Sequence, residues 1–293
     1  MAAVGLLKVI GSLTRRLGQQ VQYHATLVDS YAFAEAILYD SFQTGFVVND
    51  YLHFCHTKSA RSLAAANTLV EGHFHEDATV LLRGVYENYI HFQYVLQHPM
   101  SVHDFVSSKI GLSSRRHAYA PTKRGGKNPS RVVDTVTGEE HRYGRGLSEM
   151  VRAVTGPLTI SLHELMYEYL SEHAHNHFMS FGSYLDPQNK ACFSSDPRGV
   201  DLQVAIYALL LSSLWLKCYP SFEEIDESDT RAIKAELRKA QAALNSGLRE
   251  LIAEDKYVEL KAGLQALTAD LRNVPSNKRF QPTGLASGSA AAE

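Results

Sequence analysis

Arg83, Glu87 and His91 recur at intervals of four along LLRGVYENYIHF, and Tyr167, Ser171 and His175 do the same along YEYLSEHAHNHF. Positions four apart on an α-helix lie about 40° apart around the axis, so each trio can form one polar strip. A guanidinium can hold the charge of a phosphate, an imidazole titrates near neutrality, and a carboxylate can orient either one. Together they are the groups of a metal-independent acid–base site, with Arg83, Glu87 and His175 as its centre and Ser171, Tyr167 and His91 around it. The same groups also suit an interior hydrogen-bonded network, because a polar strip on so apolar a helix must face solvent or be paired. Arg83 before Glu87 is the weaker order for an intrahelical pair, which leaves room for a partner from another helix.

His73, His75, His173, His175 and His177 invite a metal reading. Residues two apart on a helix point in nearly opposite directions, so the HxHxH run cannot chelate as written, and only His173 with His177 share a face. No compact Cys/His spacing of a structural zinc site accompanies them. No metal and no cofactor is expected. Cys55, Cys192 and Cys218 are too few and too far apart for a disulfide framework, which points to a reducing compartment. Cys192 has no base near it in sequence and reads as a buried or loop thiol.

Between Ser113 and Gly146 the composition shifts to glycine, proline and charge. Arg115, Arg116, Lys123, Arg124, Lys127, Arg131, Arg142 and Arg145 face only Asp134, Glu139 and Glu140, with His117, Tyr119, His141 and Tyr143 interleaved. Cations with aromatics suit phosphate contacts and base stacking, so single-stranded RNA is the candidate partner, with Arg115, Arg116, Lys123, Arg124, Lys127 and Arg131 as its contacts. A plain solvated loop has the same composition. RVVDTVTGEEHRY within it carries β-branched residues on both sides of a Thr-Gly turn and predicts a β-hairpin.

The remainder is helical in pattern. Apolar residues at three- and four-residue spacing predict helix over 20–54, 59–72 with Gly72 as its stop, 75–97 with Pro99 beyond, 147–154, 159–179, 200–219 stopped by Pro220, and 228–271. Leu237, Leu244, Leu248 and Leu251 form the stripe of the last, which could pack within the chain or against a second copy. The fold class is therefore all-α, a multi-helix bundle with a basic loop or β-hairpin insert. Its divisions are 1–112 and 147–272 as the two halves of one bundle, 113–146 as the insert, and 273–293 as a tail too polar and small to fold. Strand–helix alternation is missing, which argues against a parallel-sheet nucleotide-binding fold, and the absence of P-loop, GxGxxG, GxSxG and HExxH motifs removes the commonest enzyme signatures without excluding catalysis.

The net charge of −2 gives no global pull toward nucleic acid or anionic lipid. The start of the chain makes a poor signal peptide, and Val204–Leu216 is shorter than the roughly 20 residues of a spanning helix. A soluble, cytoplasmic protein without a membrane partner is expected.

The order of these motifs resembles a bacterial helical family catalogued only as a domain of unknown function. Its pattern is an R-x-x-x-E helix followed much later by Y-x-x-L-S-x-x-x-H, here Arg83 and Glu87, then Tyr167, Leu170, Ser171 and His175. The resemblance covers roughly residues 60–216 and implies a helical fold without implying an activity. A looser similarity is to the HEPN superfamily, helical bundles that often act as metal-independent ribonucleases in toxin and phage-defence systems. Their motif places four to six residues between Arg and His, whereas seven separate Arg83 from His91. A ribonuclease would then need Arg83 and His175 to meet across helices. The tail NKRFQPTGLASGSAAAE resembles read-through translation at the ends of proteins encoded in mobile gene cassettes, a setting in which defence functions are common. Two functions follow: a helical binding or regulatory protein, or a metal-independent ribonuclease-like effector.

Overall fold

A computed structural model describes residues 2–19, 44–102, 105, 111–142, 146–156, 158–172, 185, 201–221, 225–251 and 255–275. Among the described residues the α-helices are α1 (Ala2–Gln19), α2 (Thr44–Glu71), α3 (His75–Gln97), α4 (Leu147–Ala153), α5 (Ile160–Glu172), α6 (Leu202–Cys218), α7 (Glu227–Glu250) and α8 (Asp255–Asp270). Strands β1 (His117–Pro121), β2 (Lys127–Asp134) and β3 (Glu140–Arg142) lie between α3 and α4. The protein is thus mostly α-helical with a β insert in its middle.

One apolar core joins the helices on both sides of the insert. α1 contributes Leu6, Ile10, Leu13 and Leu17 at helical spacing, all fully buried. α6 runs through the centre, and nearly every residue from Val204 to Leu216 is buried. Such all-round burial explains why its sequence shows no polar face. The apolar stretch extends further than its composition suggested: residues 202–221 are long enough by themselves to cross a membrane, yet 78% of that window is buried inside the bundle. The Asp201 carboxylate starts α6 by accepting from the N–H groups of Gln203 and Val204 at 2.8 and 3.1 Å. α7 begins the same way, with Asp226 accepting from Asp229 N–H at 2.7 Å.

Several boundaries differ from the sequence reading. Residues 44–71 form a single helix rather than two, and the predicted helical segment 20–43 lies outside the described residues. Gly72 follows the end of α2, but the left-handed residue is His73, with φ 66°. The Phe74 N–H reaches back to Leu69 C=O at 2.8 Å and that of His73 to Val70 C=O at 3.1 Å, a Schellman closure with histidine where glycine is usual. The predicted helix over 228–271 is two helices. Leu251 turns to ψ 124°, and α8 folds back so that its leucines and those of α7 are buried in one core. Gly247 permits the approach of α7, since a Cβ there would stand 3.2 Å from both Leu6 and Ile206. Lys217 pairs with Asp270 and ties α6 to α8. α6 ends at Cys218, just before Pro220 as expected, and Pro220 itself sits in the short 3-10 turn that follows. The tail beyond 275 lies outside the described residues.

The insert is a three-stranded antiparallel sheet in the order β1-β2-β3. The predicted hairpin is β2–β3, with Val132 opposite His141. Asp134 builds its turn: its carboxylate accepts from Val136 N–H at 2.8 Å and Thr137 N–H at 3.0 Å, and Gly138 takes φ 75°. These backbone donors, together with Arg116, hold the Asp134 carboxyl well below the usual carboxylate range. The sequence reading missed β1, which pairs along β2 from His117 opposite Asp134 to Tyr119 opposite Val132.

Candidate functional site

α3 turns Leu82, Val85, Tyr86, Tyr89 and Ile90 into the core, which leaves Arg83 and Glu87 on its flank toward α5. There the two meet Tyr167. Arg83 Nε donates to Glu87 Oε1 at 3.0 Å, Arg83 Nη2 donates to the Tyr167 hydroxyl at 2.8 Å, and that hydroxyl donates to Glu87 Oε1 at 3.2 Å. The guanidinium carbon also stands 5.1 Å from the centre of the Tyr167 ring, within cation–π range. The triangle is closed, with each phenol role used once. Burial alone would lower the Arg83 pKa, but the bonds to Tyr167 and Glu87 outweigh it and raise it. The site is only partly covered: the Arg83 side chain keeps 19% of its exposure and that of Glu87 34%.

Behind this triangle lies a stack of rings that the sequence reading missed. Tyr167 stacks on His163 at 5.4 Å, and His163 stacks on Tyr86 at 5.8 Å. His163 is buried, with Nδ1 2.9 Å from the Tyr86 hydroxyl and Nε2 3.3 Å from Ser148 Oγ. Burial lowers its pKa, and Arg152 adds to this against the opposing pull of Glu164. A neutral imidazole offers one donor and one acceptor, which suits two hydroxyl neighbours. The available signal was the four-residue interval, since His163 continues the series Tyr167, Ser171, His175 one turn upstream.

The other candidates are placed as follows. Ser171 lies one turn beyond Tyr167 on α5, its Oγ buried and without a hydrogen-bond partner among the described residues. His91 continues the α3 strip but is held elsewhere, with Nδ1 3.3 Å from the Tyr51 hydroxyl on α2 and its ring edge-on to Phe105 at 5.3 Å. His175 lies outside the described residues, as do His173, His177 and Cys192. Among the described residues no group of three or more His, Cys, Asp or Glu side chains is arranged to hold a metal ion. Cys55 and Cys218 are buried free thiols, and burial pushes both up to about 12.

In the insert, Arg116 pairs with Asp134 at 2.8 Å and Arg131 with Glu140 at 2.9 Å, while Arg142 bonds Glu149 at 2.7 Å and ties the sheet to α4. Lys123 and Arg124 are exposed at the β1–β2 turn, and among the described residues neither makes an ion pair. Lys127 Nζ stands 6.0 Å from the ring centre of the exposed Tyr119. Arg115 lies at the opposite end of β1, in a left-handed turn with φ 63°.

Fold and site together define a helical bundle that carries a basic three-stranded sheet and an Arg–Glu–Tyr cluster at a helix seam. Residues 49–191 match the model of a family of unknown function (DUF5677), and Arg83, Glu87, Tyr167, Ser171 and His175 all fall inside that match. No curated protein matches the chain, and no solved structure does.

Proposed function

We propose that the protein is a helical binding module that takes single-stranded RNA on its basic sheet, with the Arg83–Glu87–Tyr167 cluster fixing the register of α3 against α5. The RNA reading is carried by the exposed cations Lys123 and Arg124 beside Lys127 and the Tyr119 ring, a combination of phosphate contacts with a stacking surface. The charges of Arg116, Arg131 and Arg142 are already answered by acids, so the β1–β2 turn supplies most of the pull. In a fluorescence-anisotropy titration, a short single-stranded RNA should bind the full chain with marked salt dependence. A Lys123→Gln, Arg124→Gln, Lys127→Gln triple variant should bind at least about tenfold more weakly, because about three phosphate contacts are lost. Equal affinity of the variant would remove the sheet from the reading.

The architectural role of the cluster rests on its closure: three side chains from two helices satisfy one another. Glu87→Ala leaves the Arg83 guanidinium and the Tyr167 hydroxyl without their shared acceptor. The expected loss is about 1–2 kcal/mol, toward the lower end of the cost of stranding a charged partner because solvent reaches the site. Urea denaturation reads it, and an unchanged midpoint would show that the triangle fixes nothing.

A second reading is favoured by the partial exposure of Arg83 and Glu87 and by Ser171 Oγ, one turn along α5 from Tyr167 and buried without a hydrogen-bond partner among the described residues. In it the protein is a metal-independent ribonuclease-like effector of a mobile-element or defence setting. Arg83 would hold the phosphate, His175 would move the proton and Glu87 would orient one of them. The RNA of the binding titration, incubated with EDTA present, discriminates the two. Intact RNA supports the binding module; cleavage that Arg83→Ala and His175→Ala abolish supports the effector.

A further inference from the structure

We propose a second, separate binding site: a cleft between α7 and the end of α8 that takes a small phosphorylated molecule with an apolar or planar body. The cleft has a volume of about 580 Å³, within the range of ligand pockets. Lys234, Arg238 and Arg272 bring three cations to its wall, and no carboxylate lines it. Leu237, Leu271 and Val274 give it an apolar floor.

The arrangement is built rather than incidental. Gln241 is buried on α7, and its Nε2 donates to Thr268 C=O at 2.9 Å near the end of α8. With that nitrogen engaged, its Oε1 accepts from Arg272 Nε at 2.8 Å and so sets the direction of the guanidinium. One edge of Arg272 is thereby fixed and the two terminal nitrogens are left for a ligand, the fork geometry that recognises phosphate.

The neighbouring acids are engaged elsewhere. Asp270 pairs with Lys217 and accepts from Asn273 at 3.0 Å, and Glu236 pairs with Lys239 at 2.9 Å and accepts from Ser12 at 3.3 Å. Lys234 and Arg238 stand four apart on one helix, an arrangement of like charges that is unfavourable without an anion between them. Three gathered cations and an apolar floor fit a phosphate at the rim with the body of its carrier against the leucines. This site shares no residue with the basic sheet, so its ligand does not depend on the RNA reading.

The test is isothermal titration of the full chain at low salt with pyrophosphate alone and with adenosine 5′-monophosphate. Both probes should bind, the nucleotide more tightly because only it reaches the apolar floor. Arg272→Gln and Arg238→Gln should each weaken binding by about tenfold, the loss expected for one charge-assisted contact. Arg272→Gln also removes a donor to buried Gln241, so its affinity is read alongside its own melting curve. Arg238 is exposed and has no such bond among the described residues, so the melting curve of Arg238→Gln should match the parent and exclude misfolding. Arg61→Gln, at an exposed cation on α2 outside the cleft, should leave the titration unchanged. No binding of either probe, or equal binding by the Arg272→Gln and Arg238→Gln proteins, would overturn the site; pyrophosphate binding as tightly as the nucleotide would overturn the role of the floor.

Discussion

Acidification from pH about 7 to about 4.5 is expected to destabilise the protein strongly, by on the order of several kcal/mol, through two buried histidines. His56 is buried against Trp215 and Tyr219, and burial followed by the neighbouring His53 lowers its pKa to about 3. Burial lowers His53 to about 4. Both folded values lie below the ordinary 6.5, so between about 6.5 and 4 the unfolded chain binds more protons than the native one. Stability is therefore complete above about pH 6.5 and falls as pH drops, at about 1.4 kcal/mol per histidine per pH unit. The loss levels off only once the pH passes below the folded values. His163 and His117 shift in the same direction, each chiefly through burial, and add to the slope. Since native domains are stable by about 5–15 kcal/mol, this is a large share of the whole. The chain has a single tryptophan, Trp215, which is fully buried, so its emission reports the transition. Urea midpoints recorded at about pH 7 and 4.5 that agree would refute the assignment, and His56→Leu should move the acid transition to lower pH.

Truncation of Trp215 to alanine is expected to cost about 3–5 kcal/mol, among the largest losses that one substitution can cause. The ring stands at the centre of the bundle on α6, edge-on to Phe92 at 5.1 Å, Tyr89 at 6.0 Å and His56 at 5.8 Å. Alanine would open a cavity among three aromatic rings held by α2 and α3, which cannot all collapse into it. Trp215→Phe should be far milder. The indole Nε1 is buried without a hydrogen-bond partner among the described residues, so phenylalanine removes an orphaned donor along with some volume. Far-UV circular dichroism during thermal melting measures both. If the alanine and phenylalanine proteins melt together, the central place of this ring in the core is wrong.

Local chemistry made much of the architecture legible. α3 runs over the residues its periodicity marked, from His75 to Gln97 before Pro99, because a long amphipathic pattern with an abrupt stop leaves little freedom. The β2–β3 hairpin was equally readable, since a Thr-Gly turn between β-branched residues has few other conformations. Where the reading failed, the cause lay outside the local sequence. The left-handed residue after α2 is His73 and not the adjacent glycine, because the Schellman closure fixes its own register. The alanine-rich stretch 228–271 has helical propensity throughout, and only the packing of its leucines into one core requires the chain to fold back after Glu250. β1 has little strand pattern of its own and exists because β2 offers an edge to pair with.

By itself, the sequence determined that helices would dominate, that the middle would be basic, and that Arg83, Glu87 and Tyr167 would each stand on a polar strip. Only the tertiary structure decided that Tyr167 closes on the Arg83–Glu87 pair, that His91 turns to Tyr51 instead, and that His163 backs the cluster. Periodicity fixes the direction of a side chain around its own helix axis, whereas which helix lies opposite depends on how all the apolar stripes share one core.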